Sequence, residues 1–466
     1  MSKVKFAIIG AGPTGLGAAR RLQELGENNF FVFEAEKHIG GLSSSFVDAK
    51  GFTWDIGGHV QFSHYDYFDK TMVSLLPWLE HQRESWVWIK ERFVPYPFQN
   101  NLRYLPKESM WKCLSGIIEV YKNQTSSSNS YKPKNFKEWI YATFGPGIAE
   151  EFMMPYNYKV WAYPPEDMNY VWIGERVAVT DLARATKNIL FELDDLSWGP
   201  NNTFKFPEQG GTGAIWQSLA KVIGSDHFKM GQKLVSVDPK GKVLKFADGS
   251  SVHYEHLLST IPLNELTKIV VGLDSSIVNE SQKLLYSNSN VIGIGLKGKP
   301  TLGKKCWMYF PESNSPFYRA TVFSNYSPKN VPNIQEHWSL MAEVSESQKK
   351  PVNQQTLVED TIQGFLANKM IPSRLDIIST WTYRAKYGYP IPSVERDNIL
   401  KKVTPSLDSL KVFSRGRFGA WKYEVSNQDH SFMQGVEWVN SICLDVPETT
   451  LRFASTANAM WGRAGE

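Results

Sequence analysis

The residues best placed to do chemistry lie at the start of the chain. Gly10-Ala11-Gly12-Pro13-Thr14-Gly15 spells G-x-G-x-x-G, and an acid, Glu34, follows at about the 20-residue interval that a dinucleotide fold uses. Gly10 suits a tight turn, Gly12 lets a pyrophosphate approach the backbone, and Gly15 lets a helix pack closely on a strand. Pro13 and Thr14 open that helix, where unpaired N–H groups meet an anionic phosphate. Glu34 can accept hydrogen bonds from ribose hydroxyls. Just before the glycines, Lys5-Phe6-Ala7-Ile8-Ile9 reads as a buried parallel strand. Leu16, Ala19, Leu22 and Leu25 recur at helical spacing, and Phe30-Phe31-Val32-Phe33 is a second strand that delivers Glu34.

The continuation selects the dinucleotide. Six residues after Glu34 comes Gly40-Gly41-Leu42-Ser43. This acid-then-Gly-Gly order resembles the extended motif of FAD enzymes such as amine oxidases and protoporphyrinogen oxidases. FAD is therefore the expected cofactor, with Gly41, Leu42 and Ser43 joining Gly10, Gly12, Pro13, Thr14, Gly15 and Glu34 around it.

The whole chain sets limits on this reading. Its 466 residues call for two or three interleaved domains. A formal net charge of +4 is too small and too dispersed to suggest nucleic acid as a partner. Three distant cysteines, Cys113, Cys306 and Cys443, give neither a disulfide framework nor a metal motif, so no metal is expected. No apolar run reaches the roughly 20 residues of a membrane helix, and the first strand begins too early for a signal peptide. The expected location is cytoplasmic.

Between Pro106 and Leu196 the pattern is helical, with Trp111, Leu114, Ile117, Ile118 and Tyr121 predicted to face a core. Thr125–Ser130 reads as a polar loop. Leu234–Val237, Val243–Phe246 and Val252–Ile261 read as a β-meander. Val291–Leu296, Trp307–Phe310, Phe317–Phe323 and Trp338–Val344 read as an antiparallel sheet roofing a substrate cleft. The expected fold is α/β: a Rossmann-like FAD-binding domain carrying a helical-bundle insertion and an antiparallel β-sheet domain. Its expected boundaries are 1–93, 205–280 and 415–466 for the FAD-binding domain, 103–200 for the helical lid, and 94–102 with 281–414 for the sheet.

Further blocks run through most of the chain. They include Gly57-Gly58-His59-Val60-Gln61-Phe62, Val94-Pro95-Tyr96-Pro97-Phe98-Gln99 and Pro155-Tyr156-Asn157-Tyr158-Lys159-Val160-Trp161. Gly174-Glu175-Arg176-Val177, Trp198-Gly199-Pro200-Asn201 and Pro316-Phe317-Tyr318-Arg319-Ala320 follow, then Arg415-Gly416-Arg417-Phe418-Gly419 and Asn427-Gln428-Asp429-His430. Together these blocks resemble the UDP-galactopyranose mutases, in the wording of their eukaryotic branch. The resemblance implies an isomerase that interconverts UDP-galactopyranose and UDP-galactofuranose. Reduced FAD would attack the anomeric carbon through N5, with no net redox change, and NADPH would keep the flavin reduced.

The same resemblance assigns roles. Arg176 and Arg319 are the expected diphosphate clamp, catalytic together with His59 on its glycine-rich loop. Phe62, Tyr96, Phe98, Gln99, Asn157, Trp161, Asn201, Trp307 and Tyr309 are expected on the nucleotide and sugar, with Tyr326, Tyr389 and Tyr423 as supporting phenols. His59, Arg83, Arg417, Asn427 and Gln428 are expected on the flavin or its pyrophosphate. Taken alone, Tyr96-Pro97-Phe98 reads instead as a turn with two core aromatics. Lys422 and Ser426 depart from the family pattern, which often has Arg and Gly there, and the segment between Pro328 and Trp338 is short. The family's oligomeric state is therefore not carried over. Competing readings are a flavin oxidase of the amine or porphyrinogen type and a non-catalytic UDP-sugar sensor.

Overall fold

A computed structural model of the chain describes residues 2–126, 131–179, 181–196 and 202–454. Asn201, the block around it from Trp198, and Ser127–Ser130 of the expected polar loop lie outside the described residues. The helix Lys107–Ser126 takes in Thr125 and Ser126, so the chain there is helical where a loop was predicted.

Two seven-stranded sheets organise the molecule. In the first, the strand Ser2–Ile9 lies between Phe30–Glu34 and Ser251–Ser259, parallel to both. Ala7 and Ile8 are fully buried because helices cover both faces there, which is why Phe6-Ala7-Ile8-Ile9 is continuously apolar, whereas Lys3 and Lys5 alternate with buried Val4 at the start of the strand. Phe228–Met230 and Val412–Ser414 extend the parallel part, and Leu234–Asp238 and Val243–Phe246 add the predicted meander. The helix Pro13–Glu24 buries Leu16, Ala19 and Leu22 and ends at Leu25, which is partly exposed at the C-cap. It packs against Gln428–Cys443 through Gly17 and Gly435. A Cβ at either glycine would strike backbone of the facing helix, at Phe432 and at Thr14.

The second sheet runs in the order Ile377–Pro390, Tyr286–Lys297, His337–Glu346, Arg319–Val322, Trp307–Tyr309, Ser85–Ile89, Arg92–Pro95. It departs from expectation in three ways. One pairing, Trp307–Tyr309 with Ser85–Ile89, is parallel, so the sheet is mixed rather than purely antiparallel. Ser85–Ile89 and all of Arg92–Pro95 belong to it, although the expected boundary placed residues up to 93 in the FAD-binding domain. The 14-residue strand Ile377–Pro390, which forms one edge, was not singled out from the sequence.

The helical region contains Lys107–Ser126, Phe136–Ile148, Met154–Trp161 and Leu182–Leu190. Cys113, Gly116 and Ile117 form the inward face of the first, whereas Trp111 is 63% exposed. The predicted stripe is thus rotated around the helix. The cause is a close crossing, in which Gly116 meets Gly145 and Gly147 backbone to backbone and draws that face inward. Among the described residues no helix is long and apolar enough to cross a membrane.

Candidate active site

A cleft of about 790 Å3 runs from the glycine motif to the second sheet. At one end the backbone does the work. Gly10 sits at φ +102°, and Gly15 lies so close to the Gly10 carbonyl that a Cβ there would collide with it. Gly12 is different: a Cβ would meet nothing nearer than 3.9 Å, so its missing side chain leaves an open cradle. Gly41 faces it, with Leu42 and Ser43 beside it on the lining. The helix Pro13–Glu24 begins at Gly12 without a side-chain cap, and its first N–H groups are available to an anion. Glu34 lines the cleft and accepts the Ala11 N–H at 2.7 Å, which fixes the acid to the loop.

A second helix start reaches the same space. Gln428–Cys443 begins at Asn427, again without a side-chain cap, and Gln428 accepts the Trp216 indole N–H at 2.9 Å. Two open helix starts facing a glycine-lined cradle suit a dinucleotide pyrophosphate, and the residues present therefore fit FAD. At this helix start His64, Asp429 and His430 cluster. His64 Nδ1 lies 2.7 Å from Asp429 Oδ2, a hydrogen-bond separation shorter than two ligands of one ion keep. Burial raises the Asp429 pKa, but the two imidazoles outweigh it and hold the carboxylate below its ordinary range.

At the other end side chains dominate. Arg319 and Glu343 are directly opposite on adjacent antiparallel strands, the geometry in which cross-strand charges pair. Arg319 Nε and Nη2 donate to the two Glu343 oxygens at 2.7 and 2.8 Å. Glu343 also accepts the Tyr318 hydroxyl at 2.8 Å and the Gly58 N–H at 3.0 Å. One buried carboxylate thus ties the arginine, a phenol and the glycine-rich loop together. Burial pushes its pKa up, but Arg319 and the hydrogen bonds prevail and keep it ionised.

His59 follows that loop, half-buried, with an inaccessible Nδ1 that lacks a partner. Burial first, then the Arg319 and Arg417 charges, bring its pKa down to about 4 against the pull of Glu343. The imidazole is neutral at pH 7. Arg417 donates to the Gly388 carbonyl at 2.9 and 3.1 Å and to the Ser426 hydroxyl at 2.9 Å, and lies over the Tyr389 and Tyr423 rings. Arg176 donates to the Glu424 carbonyl at 2.9 Å and lies 4.8 Å from the Tyr423 ring centroid. Among the described residues neither Arg176 nor Arg417 has a carboxylate in ion-pair contact. Two such cations on one cleft call for an anionic ligand. Phe62, Tyr96, Arg83, Trp307 and Tyr309 complete the lining; Arg83 lies over the Tyr96 ring, and the Trp307 N–H donates to the Tyr309 hydroxyl at 2.6 Å.

Not every expected residue reaches the cleft. Phe98 is fully buried and stacks on Phe152, so here the core-aromatic reading holds. Gln99 is buried and donates to the Ala178 carbonyl. Asn157 donates to the Met153 carbonyl, just before its own helix, and accepts from Trp161. Trp161 stands behind the lining, against Tyr423 and Tyr389 at 4.7 and 5.6 Å between ring centroids. Tyr326 is buried beneath Trp307 and Phe204 with its hydroxyl unpartnered. Gly15 lies beneath the cradle rather than on its surface. Conversely, Glu343 and residues 383–388, which lead up to the expected Tyr389, line the cleft without having been singled out. A trace of each was present: Glu343 is the one charge in the apolar strand Trp338–Val344, and Trp381, Tyr383, Ala385, Tyr387 and Tyr389 alternate with polar or small residues.

The profile of the family described as "Flavin containing amine oxidoreductase" matches residues 13–348. A solved structure, "Crystal structure of reduced UDP-Galactopyranose mutase", superimposes with a TM-score of 0.94 at 48% identity, covering 98% of this chain and 98% of that one. A putative protoporphyrinogen oxidase from Exiguobacterium sp. 255-15 shares the fold at a TM-score of 0.71 and 14% identity, over 96% of this chain and all of that one. Among curated relatives, protoporphyrinogen oxidase of Dictyostelium discoideum is 32% identical over 126 residues, 26% of this chain. That match spans only 24% of the relative's own length.

Proposed function

Since the chain belongs to the flavin-containing amine oxidoreductases and, within them, to the UDP-galactopyranose mutases, we propose that its cleft interconverts UDP-galactopyranose and UDP-galactofuranose. The protein is a flavin-dependent isomerase that uses FAD; the substrate and the division of labour below are the proposal. The observation that carries it is the convergence of Arg176, Arg319 and Arg417 with the phenols of Tyr309, Tyr389 and Tyr423 beside a dinucleotide cradle. An amine oxidase has no need of so many cations at its substrate end.

Gly12, Gly41 and the helix starts at Pro13 and Gln428 would hold the FAD pyrophosphate, and Glu34 its ribose. Bound and reduced, FAD would supply a nucleophilic nitrogen, N5, for the anomeric carbon while UDP departs, with no net redox change. The chain's own part is electrostatic. Arg176 and Arg319 pair with the departing diphosphate, so the charge that develops on UDP is met by fixed guanidinium groups. Glu343 is the positioning residue that holds Arg319 in place beforehand, leaving no reorganisation for the reacting state. Neutral His59 offers one N–H and one lone pair, so it can relay a proton, giving one up as it takes another, without adding a charge beside the arginines. Trp307, Tyr309 and Tyr96 flank the sugar side and exclude water. We further propose NADPH as the reductant and the cytosol as the setting, consistent with cysteines that are all free.

The test uses purified yellow protein, reduced anaerobically with NADPH and given UDP-galactofuranose, with the nucleotide sugars separated by chromatography. Formation of UDP-galactopyranose only while the flavin is reduced, without stoichiometric NADPH use, is the expected result. Steady NADPH or oxygen consumption without sugar conversion would make this an oxidoreductase instead. Binding of UDP-galactose without any turnover by the reduced protein would leave a sensor.

A further inference from the structure

The molecule has a second cavity of about 620 Å3 that shares no lining residue with the cleft. The helix Met154–Trp161 separates the two. Its Tyr156 and Trp161 turn toward the phenols of the cleft, while Pro155, Tyr158 and Lys159 line the second cavity. A single π-helical turn, Ala149–Met153, precedes this helix and brings Glu150 and Glu151 to the same lining. Widened turns of this kind occur frequently at functional sites.

Lys159 is only 7% exposed, and its ammonium ends in this cavity. Nζ donates to the Glu312 carbonyl at 2.8 Å and to Ser315 Oγ at 3.4 Å. No carboxylate is in ion-pair contact with it among the described residues. The acids nearby are engaged elsewhere: Glu151 with Lys90 and Lys112, Glu150 with Lys112, and Glu312 Oε2 with the Lys90 N–H. The charged group facing Lys159 is another ammonium, Lys350, which donates to the Ser345 carbonyl at 2.7 Å. Burial, then Lys350, bring the Lys159 pKa down to about 7 against the attraction of Glu312. A neutral amine has two N–H bonds, and the Glu312 carbonyl and Ser315 hydroxyl account for both. Its lone pair is left unshared in the cavity.

We propose that Lys159 is a nucleophilic amine that condenses with aldehydes bearing an anionic group, the anion pairing with Lys350. The lone pair adds to the carbonyl carbon to form a C–N bond. The carbonyl oxygen leaves as water after taking up two protons, both ultimately from the amine, and an imine remains. No electrons are transferred, and hydrolysis reverses the step. The inference stands apart from the proposed isomerisation, since no residue of the cleft takes part.

Pyridoxal phosphate is the probe, with borohydride trapping and peptide mass spectrometry, on the full flavin-loaded chain at pH 7. Saturating UDP-galactose keeps the probe out of the cleft. Lys159 is expected to acquire label on the order of a hundredfold faster than exposed Lys107 or Lys240, reflecting its larger neutral fraction. Pyridoxal, which lacks the phosphate, is expected to label it about tenfold more slowly, the value of one charge-assisted contact. In Lys350→Met that preference falls to about unity. Lys159→Met removes the fast phase while labelling of exposed lysines persists. Labelling of Lys159 no faster than Lys240, or a phosphate preference unchanged in Lys350→Met, overturns the proposal.

Discussion

The two ends of the cleft offer an anion opposite kinds of partner. At the glycine end the groups are backbone N–H donors, fixed by turns and helix starts and drawn mainly from residues 10–43. At the arginine end they are side chains from positions as distant as 176, 319 and 417, held by one another and by Glu343. A backbone site is set by what is missing from the chain, namely side chains that would fill it. A side-chain site is set by what is present, and each guanidinium needs its own support. Steric substitutions should therefore damage the first end and charge substitutions the second.

The largest effect is expected from Gly15→Val, whose side chain would drive the helix away from the Gly10 carbonyl. A loss of roughly 3 kcal/mol or more in stability, with FAD absent from the purified protein, should follow in thermal melts and flavin absorbance. Next comes acid. His59 has a folded pKa of about 4, below the ordinary value of 6.5, so the unfolded chain binds its proton first as pH falls. Stability present above pH 6.5 should be lost as pH falls toward 4, by about 3 kcal/mol. Melting temperatures followed against His59→Gln should show that loss in the wild type and a flatter profile in the variant.

Arg176→Ala should lower turnover by about 10- to 150-fold, the cost of one charge-assisted contact of roughly 1.5–3 kcal/mol. FAD should stay bound, read as an unchanged flavin-to-protein ratio; equal loss of FAD would move Arg176 to the cofactor side. The smallest effect on stability belongs to Gly12→Ala, within about 0.5 kcal/mol, because its Cβ has room. FAD affinity should nonetheless fall. If Gly12→Ala instead unfolded the chain and Gly15→Val did not, the division between an open cradle and a packed turn would be wrong.

The same contrast explains what could be read from the sequence. The cradle was legible because its strand, glycines, helix, strand and acid follow one another, and adjacency in sequence becomes adjacency in space. Arg176 and Arg319, expected as a clamp, and Arg417, expected on the flavin, came from resemblance rather than pattern, since nothing local distinguishes a cleft arginine from a surface one. Glu343 went unnoticed because its meaning depends on the residue across the sheet, and register is invisible in a single strand. Phe98 and Trp111 show the limit from the other side. Helical spacing and aromatic character say that a side chain wants a partner, but close glycine crossings and neighbouring aromatics decide which partner it finds.

The contact of Pro13–Glu24 with Gln428–Cys443 through Gly17 and Gly435 has a consequence in time. Residues 13–24 leave the ribosome more than four hundred positions ahead of the helix that locks against them. Until then the first strand and helix have neither their final neighbour nor the second open helix start. The helix made first is thus among the last to be finished, and flavin capture must wait for Gln428–Cys443 to leave the ribosome.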